Sequence, residues 1–162
     1  MIWVYRPGKS SFYYNDIIKR EKIYLIWDNI DVDCSECDSI SDFKQIIIDN
    51  LNPNNRTTIS NLGSQLKYFC KDMKIGEYIL IPSRSSKWYT LAQITGNYEY
   101  KIDDYPYSHS RKIKILIMKI DKNLFSQKTQ FSLGAFRTIF HARQENEIIR
   151  VINDIYNIKL EG

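Results

Sequence analysis

The chain has 162 residues, 43% hydrophobic and 26% charged, a balance that excludes a disordered or low-complexity polypeptide and suits one globular domain with its own core. Its net charge of +4 admits a polyanionic partner without requiring one, and no run approaches the ~18 uninterrupted apolar residues that a membrane span needs. The opening Met1-Ile2-Trp3-Val4-Tyr5-Arg6 lacks the order of a signal peptide and three cysteines suit a reducing compartment, so a cytoplasmic protein with no membrane partner is expected.

Residues 2–6 are rich in β formers and alternate loosely, giving a first strand that stops at Pro7-Gly8. A polar stretch containing Lys9 leads through Lys19-Arg20-Glu21-Lys22 into a second strand at 23–27. Its end carries Trp27, Asp28 and Asn29. An aromatic ring followed by two side chains able to hydrogen-bond sideways is the chemistry of a pocket for a flat heterocycle, although periodicity alone serves Trp27 equally well as core packing. Residues 30–41 are acidic and turn-like. Cys34-x-x-Cys37 lies among them, but Cys70, His109 and His141 are not spaced to complete a four-ligand zinc site, so neither metal nor cofactor is expected.

Asp42-x-x-Gln45 reads as a capping box that opens a helix over 42–50, which Asn52-Pro53 breaks. A second helix over 58–73 places Ile59, Leu62, Leu66, Phe69, Cys70 and Met73 on one face and leaves Ser60, Gln65, Lys67 and Lys71 as solvated surface. The clearest stretch is a β-hairpin with strands at 77–82 and 88–94 and a polar tip, Ser83-Arg84-Ser85-Ser86-Lys87. Arg84 and Lys87 beside Trp88 and Tyr89, with Tyr98 further on, combine cations for phosphates with rings on which bases stack. A strand at 110–117 follows a Tyr/Pro-rich turn and brings Arg111 and Lys112. Only a short helical turn is expected near 122–126, then a loop from Ser132-Leu133-Gly134 into a last strand that ends at Phe140. A final helix over 145–157 has Ile148, Ile149, Ile152 and Ile155 as its stripe. The domain is expected to span 1–157, with 158–162 as a tail.

The ordered segments Trp3-Val4-Tyr5-Arg6-Pro7-Gly8, Ile23-Tyr24-Leu25-Ile26-Trp27, Gly76-Glu77-Tyr78-Ile79-Leu80-Ile81-Pro82, Thr95-Gly96-Asn97-Tyr98-Glu99-Tyr100 and Ser132-Leu133-Gly134 together resemble the PUA-like superfamily. The resemblance covers about residues 2–152 and is to EVE/YTH-type modified-base readers, as in the N-terminal domain of Mrr-like restriction endonucleases. It implies an α+β fold, a strongly bent β-barrel flanked by helices, with a pocket for a base flipped out of its stack. Trp27 falls at the place of a cage tryptophan, Asp28 where the base edge is read, and Arg6, Pro7 and Gly8 where further pocket residues lie. A second cage aromatic is implied near Ser132 and Leu133; no Trp stands there, leaving Phe131 or Phe136 as substitutes.

Taken with the resemblance, these residues imply a non-catalytic module that recognises a modified base, methylated or hydroxymethylated cytosine or N6-methyladenine, by base flipping. The resemblance implies the specificity domain of a modification-dependent restriction or defence system, with a nuclease domain or subunit as partner. Nucleic acid is the expected ligand, DNA ahead of RNA, with Lys9, Arg84, Lys87, Arg111 and Lys112 on the backbone and Trp88, Tyr89 and Tyr98 as stacking candidates. A reader of modified or single-stranded RNA and a protein-interaction module remain as alternatives. No nuclease-like carboxylate–Lys arrangement stands on a suitable background, and neither histidine has a Ser or Cys partner at an interpretable spacing.

Overall fold

Apolar side chains on both faces of a strand require cover on both faces of the sheet. β1 (Ile2–Tyr5) and β3 (Tyr78–Pro82) are buried along their whole length, and their alternation divides two cores. Trp3, Tyr5, Ile79 and Ile81 point to one core, and Ile2, Val4, Tyr78 and Leu80 to the other. The protein is seen here as a computed structural model that describes residues 1–161.

The other strands are β2 (Lys22–Leu25), β4 (Trp88–Ile94), β5 (Glu99–Tyr100), β6 (His109–Asp121) and β7 (Ile139–His141). The sheet runs β2-β6-β4-β3-β1-β7, with β5 also paired to β6. β1 and β3 are parallel, so the chain between them must cross over, and it does so through β2 and three helices. These are α1 (Tyr14–Arg20), α2 (Ile40–Leu51) and α3 (Arg56–Lys67), which deliver Ile17, Phe43, Ile47 and Leu66 to the first core. α4 (Gln127–Leu133) and α5 (Glu145–Tyr156) cover the second with Leu133, Ile148, Val151 and Ile152. The result is α+β, a strongly curled half-barrel sheet flanked by helices. Among the described residues no helix is long and apolar enough to cross a membrane.

Across the gap in the half-barrel, β1 and β2 are not sheet neighbours, and a single side chain joins them. The buried Tyr5 hydroxyl donates to the Tyr24 carbonyl and accepts from the Tyr24 N–H at 3.2 Å. Both backbone groups on the free edge of β2 are thereby satisfied at Tyr24. A bulge between β4 and β6 is treated similarly: the Thr90 hydroxyl donates to the Met118 carbonyl at 2.8 Å and accepts from Tyr14 at 2.5 Å, fixing α1 to the sheet.

Several expectations shift. α1 and α4 replace what read as polar chain and loop. Ser39, not Asp42, caps α2, with Asp42 as the reciprocal partner in the box. α3 stops at Lys67 and continues as a π-helical turn, Tyr68–Asp72. On α5, Val151 is buried while Ile155 is exposed. The presumed tail is part of the fold: Leu160 is buried in the second core and its N–H donates to Asn153 at 2.8 Å. Gly162, the last residue of that stretch, lies outside the described residues.

β6 carries two buried polar side chains on the face that its Ile113 also supplies. Among the described residues Arg111 has no carboxylate partner; its guanidinium donates to the carbonyls of Gly96 at 2.9 Å, Met73 at 2.5 Å and Phe69 at 3.3 Å. It thus caps the orphaned carbonyls where the π-helical turn ends. His109 Nε2–H donates to the Ile30 carbonyl at 2.5 Å, and Nδ1 accepts from the Tyr98 hydroxyl at 2.6 Å. That arrangement needs the neutral imidazole, and burial accordingly lowers the His109 pKa.

Two outcomes follow. Tyr5→Phe keeps the ring but strands the Tyr24 backbone groups, so thermal unfolding should show a loss of about 2 kcal/mol, roughly 4–8 °C in Tm. Because a histidine with a depressed pKa binds its proton more readily when unfolded, stability should fall as pH drops below about 6.5, the ordinary histidine value. Tm measured from pH 7.5 to pH 5 should therefore decline, and His109→Gln should remove part of that decline, His141, whose pKa burial also lowers, supplying the rest.

Candidate functional site

The ends of β1, β3 and β6 and the start of β4 open onto one cleft of about 720 Å³. Its first wall is Gly8-Lys9-Ser10-Ser11, where the chain turns sharply after β1. Gly8, Ser10 and Ser11 have φ of 79°, 53° and 53°, the left-handed region that costs a side chain roughly 1–3 kcal/mol. At Gly8 a Cβ would also meet the Tyr13 ring at 2.7 Å, so only glycine fits. The turn is held by N–H donation from Ser11 to Gly8, Phe12 to Lys9 and Tyr13 to Pro7, at 2.9–3.1 Å.

Trp27 leaves β2 half-buried, one side of its ring lining the cleft. Its indole Nε1–H donates to Thr138 Oγ1 at 3.3 Å. The Thr138 carbonyl accepts from Arg6 N–H at 2.8 Å, which brings three distant segments together. From behind, the buried Gln65 of α3 fixes this junction: its Oε1 accepts from the N–H groups of Thr138 at 2.9 Å and Ile139 at 3.1 Å. Tyr89, buried in the second core, also lines the cleft. Burial raises the pKa of its hydroxyl, with the Arg6 charge opposing, so it stays neutral.

Four cations line the cleft, Arg6, Lys9, Lys122 and Arg137, and no carboxylate does so among the described residues. A concave site with one sign of charge concentrates counter-charged ligands. Aromatic surface, backbone turns and unopposed cations together suit a flat, polar group attached to an anion.

Of the expected site residues, Arg6, Gly8, Lys9, Trp27 and Tyr89 meet here. Pro7 is buried beneath the turn. Asp28 is exposed and lines a small neighbouring recess rather than the cleft. Leu133 is a core residue, fully buried, and Ser132 lines a second cleft. Arg111 is withdrawn from any phosphate by burial against backbone carbonyls, whereas Lys112 is exposed beside Gly96 and does not line the cleft. Arg84 and Lys87 are exposed on the hairpin tip, with the Arg84 guanidinium over the Phe12 ring at 5.7 Å. Strand alternation separates Trp88 from Tyr89: the Trp88 ring lies outside the cleft, under the Lys119 ammonium at 4.3 Å. Tyr98 is committed to His109 and to the Cys34 N–H. Gln65, Lys122, Arg137 and Thr138 were not foreseen; Gln65 alone carried a signal, as a polar residue within the apolar stripe of α3.

Among the described residues no three of His, Cys, Asp and Glu form a cluster suited to a metal ion. No curated protein and no solved structure matches the chain. A family model described as a domain of unknown function (DUF8426) matches residues 3–140, which include every residue lining the larger cleft. Since that match spans most of the chain, the protein belongs to the DUF8426 family.

Proposed function

We propose that this domain is a non-catalytic nucleic-acid reader that takes an everted base into the Trp27 cleft. The observation carrying the reading is a partly exposed Trp27, its indole anchored by the N–H, in a cleft lined by four cations and, among the described residues, no carboxylate. Its volume of about 720 Å³ is in the range of small-molecule sites and leaves room for a base with its sugar and phosphate. Everting a base costs a few kcal/mol, so the pocket must return that energy through stacking, worth about 1–3 kcal/mol per base, and through hydrogen bonds made only there. Trp27 offers aromatic surface for the stacking, with the Tyr89 ring, buried in the second core, behind the lining. The backbone and hydroxyls of Gly8-Lys9-Ser10-Ser11 offer hydrogen bonds to the base edge, in place of Asp28.

Arg6, Lys9, Lys122 and Arg137 would hold phosphates, which sets affinity and salt dependence without reading sequence. DNA is favoured as the ligand, and a modified base as the target, by the sequence resemblance to PUA-like EVE/YTH-type readers. A role as the specificity domain of a modification-dependent restriction system, acting with a nuclease, rests on that resemblance alone.

Fluorescence anisotropy with labelled strands carrying a central 5-methylcytosine, 5-hydroxymethylcytosine or N6-methyladenine, each against its unmodified counterpart and its RNA version, tests this. One modified DNA should bind tightest, and Trp27→Ala should lose about tenfold or more of that affinity while circular dichroism stays unchanged. Arg6→Ala and Arg137→Ala should each reduce the slope of log K against log salt by about 1 and leave base preference intact. Equal binding by wild type and Trp27→Ala would remove the indole from the site; absence of any binding at low salt would sink the reader.

A further inference from the structure

Phe136, on the stretch that joins α4 to β7, is fully exposed, and Phe131, in the last turn of α4, is 88% exposed. Leaving one such ring in water forgoes a large part of the burial that phenylalanine ordinarily gains, and two so close together mark a surface that is covered in use. They do not face open solvent alone. A second cleft of about 680 Å³ lies on the far side of this stretch, lined by Tyr68, Phe131, Phe140 and Arg143 among others. Gln130, Gly134, Phe136 and Arg137 line both clefts, so the segment is a thin partition between them.

The second cleft repeats the chemistry of the first. It has exposed aromatic rings, two arginines, Arg137 and Arg143, and no carboxylate among the described residues. Arg137 stands on the partition itself, and among the described residues its guanidinium pairs with no acid. A cation between two aromatic clefts matches a ligand with two flat groups joined through an anion. Successive nucleotides of one strand have that pattern.

We infer that the second cleft is a subsite for the nucleotide adjacent to the everted base, with Phe136 between the two bases and Arg137 on the phosphate that links them. The inference rests on the reading of the Trp27 cleft as a base pocket and extends it: the unit recognised is two neighbouring nucleotides of an unpaired strand, splayed across a partition. Phe131 and Tyr68 supply stacking surface for the second base, and Arg143 meets the next phosphate. Backbone and ring are divided in their roles. The partition's far end is held by the Gln65 bonds to Thr138 and Ile139, whereas the Phe136 side chain is free to contact ligand.

Each strand of the panel above, DNA and RNA, is remade with an abasic site on the 5′ side or on the 3′ side of the central residue, and binding is followed by anisotropy. On one side the abasic change should weaken wild-type binding about tenfold, the loss expected for one base stacked on an aromatic ring. Phe136→Ala and Phe131→Ala remove no core contact, so both variants should fold; each should bind the intact strand more weakly and be nearly indifferent to the abasic change, the coupling a double-mutant cycle reads. Wild-type binding that depends on Trp27 but ignores both abasic sites overturns the second subsite and leaves the first reading standing. Wild-type protein that binds no strand of the panel overturns both.

Discussion

One tyrosine hydroxyl sets the shape on which the site depends. The sheet ends at β2 and at β7, and the backbone of β2 beyond its pairing with β6 has no strand to bond. At Tyr24 both free groups are taken by the Tyr5 hydroxyl, which donates to the carbonyl and accepts from the N–H. A hydroxyl is suited to this because it is donor and acceptor at once. Burial raises its pKa, which keeps the donor proton in place. The sheet is thereby pulled into a curl without being sealed. One residue further along β1, Arg6 instead bonds Thr138, and three residues beyond Tyr24 lies Trp27. Trp27 and Arg6 both bond Thr138, and all three line the cleft.

Charge and aromatic content are divided between holding the fold and offering a surface. His109, Arg111 and Tyr98 are spent internally, tying the acidic loop, the π-helical turn and β5 to the long strand β6. Tyr24, Tyr107 and Arg20 pack together beside α1, with the guanidinium 4.6 Å from the Tyr107 ring and the Tyr107 hydroxyl bonded to Asp16. Neither ion pair among the described residues, Lys67 with Asp72 and Lys71 with Asp38, draws on the cleft cations. A modest net charge thus understates the site, because acids and bases are segregated: the acids gather on the loop between β2 and α2 and the unopposed cations gather at the cleft.

Legibility in the sequence followed element length and burial pattern. The hairpin and the helices α2, α3 and α5 were readable since each repeats its period several times. α1 and α4 have seven residues each and bury only two apiece, too few for a stripe to stand out. Of the residues that line the cleft, Trp27, Arg6 and Gly8 were among those expected at a pocket, and the structure brings them together. Local periodicity would have corrected three other assignments. Arg111 alternates with Ile113 on the buried face of β6, while Lys112 and Lys114 are exposed. Trp88 and Tyr89 are neighbours in a strand and so cannot share a face. Gln65 lies among Leu62, Leu66 and Phe69, and polarity concealed its burial. Lys122, Arg137 and Thr138 gave no signal, because only the curl of the sheet brings them to Trp27.

The support behind Trp27 bears on how such a pocket gains selectivity. A ring that had to be ordered when ligand arrived would lose affinity to that ordering. Here the indole N–H is bonded to Thr138, whose own N–H is bonded to a buried glutamine on α3, so a helix packed in the core fixes the angle of the ring. On the opposite wall, left-handed residues hold Gly8-Lys9-Ser10-Ser11 in one geometry, strain that the strand, α1 and the Gly8 packing jointly stabilise. Both walls are therefore organised before a ligand enters, while the cations at the rim stay on long, rotatable side chains. If the cleft takes a base as proposed, a stiff floor would suit discrimination by shape and an adaptable rim would suit phosphates whose position varies with the strand. The exposed Phe136 stands where these two regimes meet, with its backbone carried by the rigid junction and its ring in contact with neither core.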